Sequence, residues 1–175
     1  MSTHKIILSG FGGQGMLLMG QLIAHAGMLE NKNVTWMPSY GPEMRGGTAH
    51  CTVIVSEKKI ASPVITEATA VVAMNSPSFD KFQGVVSSGC HLFVNSSLIK
   101  ESNLRDDIIK HNVDCSKLAL EVGDNKVANM VMLGALVKIT GVVSLSTVEN
   151  VLAEFFTGPK EKMLPLNKHA LSVWE

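Results

Sequence analysis

Two short stretches hold most of the residues able to do chemistry. The first is GFGGQG at residues 10–15, where Gly10, Gly12 and Gly15 stand in G-x-G-x-x-G spacing with Gly13 and Gln14 between them. Glycines at that spacing permit a tight turn and close backbone approach, and a helix opening there adds free N–H groups and a positive dipole end, which suits a phosphate or another anion. The motif follows the apolar run KIIL and precedes a helical pattern, the context it needs. The bland alternative is that the glycines only let a strand and a helix pack closely. The second stretch is PSYGPEMRGGTAHC at residues 38–51. Pro38, Gly41, Pro42, Gly46 and Gly47 make it a stiff turning loop that is neither helix nor regular strand. It carries Ser39, Tyr40, Glu43 and Arg45, the side chains of a contact loop, with Arg45 suited to an anionic group. Its bland alternative is a surface turn in which Glu43 and Arg45 face solvent or each other.

A glycine fingerprint invites a dinucleotide reading, which requires an acid at the end of the second strand to hold the adenosine ribose. The second strand candidate, NVTWM, is followed by Pro38, Ser39 and Tyr40, and the nearest acid at suitable distance, Glu30, precedes that strand. Gln14 inside the loop also places an amide where a ligand would lie. NAD is therefore the lesser reading.

The remaining reactive residues are scattered. Cys51, Cys90 and Cys115 form no C-x-x-C and no cysteine–histidine cluster, so no zinc or iron–sulfur site is expected. The six histidines lack the spacing of a triad or metal site. Gly123-Asp124-Asn125 does not complete a G-D-G thiamine diphosphate motif. Asn129, within an apolar helical run, needs a hydrogen-bond partner once buried. Fifteen basic residues balance fifteen acidic ones, so nothing draws the chain to nucleic acid or an anionic membrane. No window approaches about 18 apolar residues, and a cytoplasmic protein is expected.

These residues must be positioned by a scaffold. The 175 residues fit one domain, read as α/β and Rossmann-like, with a mostly parallel sheet flanked by helices and a helical C-terminal third. Strands are expected at residues 4–9, 33–37, 48–56, 69–74 and 91–95, with a short sixth at 112–114. Residues 14–30 predict a helix with Met16, Met19, Leu22, Ile23 and Ala26 on its apolar face, so that strand, glycine turn, helix and second strand form a right-handed βαβ unit. Asn75-Ser76-Pro77 signals a helix start. Helices are expected from residue 116 onward, over 126–139, 146–156 and 160–171. Both loops then emerge from the carboxyl ends of strands, the edge where open α/β sheets bind ligands.

GFGGQG at 10–15, SYGPEMRGGTAHCTVIVS at 39–56 and VANMVMLGAL at 127–136 together resemble the gamma subunit of the 2-oxoacid:ferredoxin oxidoreductases, over residues 5 to about 154. The segment SYGPEMRGG is its most specific part. The resemblance implies a complex that oxidatively decarboxylates a 2-oxoacid, transfers the acyl group to coenzyme A and reduces ferredoxin, with 2-oxoglutarate slightly favoured as substrate. It implies alpha and beta subunits and a ferredoxin-like delta subunit as partners. Thiamine diphosphate, magnesium and iron–sulfur clusters would ride on those chains, with coenzyme A as co-substrate and no metal here. No catalytic residue is assigned to this chain. Gly10, Gly12, Gly13, Gln14 and Gly15 would hold a coenzyme A phosphate, and the loop from Ser39 to Gly47 would face the active site or a partner. A stand-alone NAD(P) oxidoreductase and a coenzyme A- or nucleotide-binding regulatory module remain as alternatives.

Overall fold

The computed structural model describes residues 2–39, 48–100 and 105–174. Its centre is a six-stranded sheet in the order β2-β3-β1-β4-β5-β6, built from β1 (Thr3–Phe11), β2 (Asn33–Ser39), β3 (Thr48–Ser56), β4 (Ala68–Ala73), β5 (Val86–Asn95) and β6 (Ile109–Val113). β1, β4, β5 and β6 pair in parallel, while β3 runs antiparallel to both β1 and β2. The sheet is mostly parallel, as expected, but the β1–β2 unit is not the simple βαβ the sequence suggested. β3 occupies the place beside β1, and β2 lies one strand further out. The reason is loop length. β2 and β3 are eight residues apart, too few for a crossover helix, so they pair as a hairpin-like couple and enter the sheet together.

Alternation along the strands sorts the two faces. Ile6 and Leu8 of β1, Cys51, Val53 and Val55 of β3, Val72 of β4 and Phe93 of β5 point into the larger core. They meet α1 (Met16–Leu29), α3 (Cys115–Val122), α4 (Ala128–Thr140), α5 (Leu145–Phe155) and α6 (Leu164–Ser172). Ile7, Val71, Ala73, Leu92 and Val94 face the other way, under Phe79 and Phe82 of the short helix α2 (Ser76–Phe82). α4 is buried nearly all round, which explains its almost uniformly apolar sequence. Asn75 caps α2 as its sequence signalled, its side-chain oxygen accepting the Ser78 N–H at 2.9 Å. The helix expected from residue 126 opens with a 3-10 turn, Asn125–Val127, in which the Asp124 carboxylate accepts the Lys126 N–H at 2.9 Å. Another 3-10 turn, Gly158–Met163, precedes α6. No helix among the described residues is long and apolar enough to cross a membrane.

Candidate functional site

The glycine loop closes the carboxyl end of β1. Gly13 (φ +93°) and Gly15 (φ +79°) both take the left-handed conformation, which side chains disfavour, and Gly15 caps α1 in that state. Space is as decisive as torsion at Gly15, since a Cβ there would run into the Asn129 side chain. Gln14 folds back on the loop: its N–H donates to the Phe11 carbonyl at 3.1 Å, and its Oε1 accepts the Phe11 N–H at 2.6 Å. Asn75 Nδ2 donates to the same Oε1 at 3.3 Å, so the cap of α2 also braces the loop. The N–H groups of Gly12, Gly13, Gly15 and Met16 meet no acceptor among the described residues.

Beside this loop opens a cleft of about 480 Å³. Gly13 and Gln14 line one side, Met74, Asn95 and Leu98 the floor, and Ser116 and residues 124–126, 128 and 129 the other side. Three helical starts converge there, those of α1, α3 and the 3-10 turn that leads into α4, so their positive dipole ends point at one volume. The amide side chains are biased in the same sense. Gln14 uses its oxygen within the loop, and Asn129 uses Oδ1 on the Met130 N–H at 3.0 Å, which leaves both NH₂ groups as donors. Asn129 is only 8% exposed and still lines the cleft. Lys126 adds the cation of the wall, beside Asp124. The floor is a fixed polar network. Asn95 Nδ2 donates to the Met74 carbonyl, Ser97 donates its hydroxyl to the Asp114 carboxylate, and Ser97 Oγ accepts the Ser116 N–H at 3.0 Å. A site so rich in donors, with one carboxylate at its rim, suits phosphate groups.

Gly13 and Gln14 therefore line this cleft and Gly15 lies against its wall at Asn129, whereas Gly12 is not among the lining residues and Gly10 stands near the end of β1. Ser39, the last described residue of β2, pairs with His50, which pairs with Ser9, so the second loop leaves the same sheet edge two strands away. Tyr40, Gly41, Pro42, Glu43, Arg45, Gly46 and Gly47 lie outside the described residues. Glu30 stands at the opposite end of α1, where its carboxylate accepts from Lys32 Nζ at 2.8 Å and the Ser144 N–H at 2.7 Å. It is far from any ribose at the glycine loop, in keeping with the reading against NAD. Sequence reasoning missed the opposite wall. The sequence offers Asp124 and Asn125 only as part of an incomplete thiamine motif and Lys126 only as the first residue of the 126–139 helix, although D-N-K-V-A-N is a helix start on the same carboxyl edge.

The three cysteines do not gather. Burial pushes the Cys51 thiol up to about 12, and the thiol donates to the Met16 carbonyl at 3.4 Å; burial with the Asp114 charge raises Cys115 as well. No group of three His, Cys, Asp or Glu side chains able to hold a metal occurs among the described residues. His91 Nδ1 and His111 Nε2 lie 3.0 Å apart within β5 and β6, with His111 stacked on Phe93, and neither lines the cleft.

Residues 5–173 match the family model described as pyruvate ferredoxin/flavodoxin oxidoreductase. The chain belongs to this family. It is 34% identical over 174 residues to ketoisovalerate oxidoreductase subunit VorA of Methanothermobacter marburgensis, covering 97% of this chain but 35% of that one. It is 32% identical to the 2-oxoglutarate synthase subunit KorC of Methanocaldococcus jannaschii, covering 91% and 88% of the two chains. The chain thus spans about a third of the length of the VorA relatives and most of the length of KorC. Among solved structures, the keto/oxoacid ferredoxin oxidoreductase gamma subunit from Geobacter sulfurreducens superimposes with a TM-score of 0.83 at 31% identity, over 97% and 95% of the two chains. The 2-oxoglutarate:ferredoxin oxidoreductase from Magnetococcus marinus, solved with 2-oxoglutarate, coenzyme A and succinyl-CoA bound, shares the fold. Its TM-score is 0.89 at 22% identity, over 98% of this chain and 30% of that one.

Proposed function

We propose that this chain is the gamma-type subunit of a 2-oxoacid:ferredoxin oxidoreductase and that its glycine-loop cleft holds the phosphate-bearing part of coenzyme A. The assembled enzyme would convert a 2-oxoacid, coenzyme A and oxidised ferredoxin into acyl-CoA, carbon dioxide and reduced ferredoxin. The observation that carries the reading is the cleft: Gly13, whose N–H meets no acceptor among the described residues, the Gln14 and Asn129 amides and Lys126 line one volume. Three converging helical dipoles reinforce them. The relatives' names support the enzyme class. KorC and the Magnetococcus enzyme point toward 2-oxoglutarate, while VorA points toward ketoisovalerate.

Alpha, beta and ferredoxin-like delta chains would complete the complex. The decarboxylation needs a carbanion sink and single-electron carriers, which thiamine diphosphate and iron–sulfur clusters supply when bound. The described residues of this chain offer neither a thiolate set nor a metal cluster, so we place those groups, with magnesium, on the partners. This chain's part is to bind and orient coenzyme A, with the loop of Ser39 to Gly47 at the mouth of the shared site and in the cytoplasm. The test is reconstitution: 2-oxoacid- and coenzyme A-dependent ferredoxin reduction should require this chain together with its partners. In the assembled enzyme, Lys126→Ala should raise the KM for coenzyme A several-fold while leaving that for the 2-oxoacid unchanged. Equal activity without the chain, or NAD-dependent activity from the chain alone, would contradict the reading.

A further inference from the structure

The cleft carries one acid and one base, and they stand two residues apart. Among its described lining residues Asp124 is the sole carboxylate and Lys126 the sole cation. They do not neutralise each other. Asp124 Oδ1 accepts the Lys126 backbone N–H at 2.9 Å, and neither side chain joins an ion pair among the described residues. One carboxylate oxygen and the whole ammonium group are therefore left for whatever enters the cleft. Their spacing is fixed, because Asp124 caps the turn Asn125–Val127 through that same Oδ1.

The rest of the lining offers donors. The Gly13 N–H meets no acceptor among the described residues, and Gln14 and Asn129 each engage their oxygen within the protein. Asn129 is 8% exposed, and its NH₂ has no acceptor among the described residues, so this wall is built to face an anion. A carboxylate is out of place in such a site unless the ligand brings something besides phosphate. Asp124 repels a phosphate set against it, and its free oxygen is satisfied by a neutral O–H or N–H instead. Lys126, beside it, calls for the opposite kind of group. A hydroxyl and a phosphate on neighbouring atoms meet both demands at once. That is the chemistry of a ribose phosphorylated on one of its two secondary hydroxyls. Free pyrophosphate offers nothing to Asp124, and an unphosphorylated ribose offers no anion to Lys126.

We infer that Asp124 and Lys126 are the specificity pair of this cleft, the ammonium holding the 3′-phosphate of the ligand's ribose and the free carboxylate oxygen accepting the neighbouring 2′-hydroxyl. The inference rests on the proposed binding of coenzyme A here, whose ribose carries that arrangement. The ribose then lies at the Asp124–Lys126 wall, and the diphosphate reaches Gly13 and the Gln14 and Asn129 amides.

The test uses the assembled enzyme and measures kcat/KM for ferredoxin reduction with coenzyme A, dephospho-coenzyme A and 2′-deoxy-coenzyme A. All three carry the reactive thiol, so each gives a rate. The wild type should prefer coenzyme A over either analogue by about tenfold, the discrimination that one hydrogen bond to a charged group supplies. Lys126→Ala should abolish the preference over dephospho-coenzyme A and keep that over the 2′-deoxy compound. Asp124→Asn should do the reverse. Asparagine caps a helical turn as well as aspartate does, so the fold is kept while the free acceptor becomes an NH₂ donor. A merely structural role would move both preferences together, and that result overturns the inference. So does an unchanged 2′-hydroxyl preference in Asp124→Asn; if Lys126→Ala still raises the KM for coenzyme A, the proposed function stands without it. If neither variant alters the KM for coenzyme A, the coenzyme binds elsewhere, and the proposed function falls together with this inference.

Discussion

The contact between Gly15 and Asn129 joins the two walls of the cleft, and a double-mutant cycle can measure it. Gly15→Ala meets two obstacles. The left-handed φ of +79° costs a side chain about 1–2 kcal/mol. The new Cβ also collides with the Asn129 side chain, an overpacking cost of about 1–3 kcal/mol. The single substitution should therefore destabilise the domain by about 2–5 kcal/mol. At the urea slope usual for a chain of this size, that lowers the midpoint by roughly 1–2 M. Asn129→Ala removes the obstructing amide, so Gly15→Ala made in that background should cost only the torsional share. The coupling is then about 1–3 kcal/mol, well above the additivity error for independent sites. The assay is equilibrium urea unfolding of the four proteins, followed by far-UV circular dichroism. If Gly15→Ala costs the same with Asn129 present or absent, the two walls do not touch as described and the reasoning fails.

Other consequences can be checked with simple assays. A thiol reagent should modify Cys90 in the native protein and reach Cys51 and Cys115 only in denaturant, because burial holds both of those thiols protonated; rapid native labelling of three thiols would count against the packing. Burial lowers the pKa of His91, and burial with the neighbouring His91 charge lowers that of His111, so folding favours the neutral rings. Their stabilising effect is whole above pH 6.5 and declines as pH falls below it, and His91→Asn with His111→Asn should flatten the stability profile in that window. At Glu30, burial alone would raise the pKa, but the Lys32 ammonium and the Ser144 N–H outweigh it and bring it to about 2. Its contribution is present above about pH 4.5 and lost as pH falls through about 2, and Glu30→Gln should cost about 1 kcal/mol at neutral pH and only a small part of that at pH 2.

Much of this structure was legible in the residues. Apolar runs flanked by Gly or Asn placed β1, β3, β4 and β5, and the 3.6-residue period of residues 14–30 placed α1. Asn75 announced its helix through ordinary capping chemistry. The strand order was not legible as read, because local pattern shows that a strand exists but not which neighbour it takes. A signal was nonetheless present in β3. In TAHCTVIVS the alternation of Cys51, Val53 and Val55 with His50 and Thr52 belongs to a strand with unlike faces, and the short 40–47 connection forbids a parallel crossover. At the site, the glycine loop could be read from one segment because its chemistry is local. The wall of Ser116, Lys126 and Asn129 could not, since those residues reach the loop only through the folding of β5, β6 and α4 around the sheet. Asn129 marked itself only as a polar residue in an apolar helix, and its partner, Gly15, is a position whose missing side chain makes the contact possible.

The central claim is that coenzyme A phosphates are held by the start of α1 and the wall of α4. Hydrogen–deuterium exchange of the assembled enzyme with and without coenzyme A tests it most directly. The account predicts slowed exchange at residues 12–18 and 124–130, and weaker protection with a coenzyme A fragment lacking the nucleotide phosphates. Residues 86–90 at the amino end of β5 should be unaffected. Coenzyme A binding that leaves residues 12–18 unprotected would contradict the account.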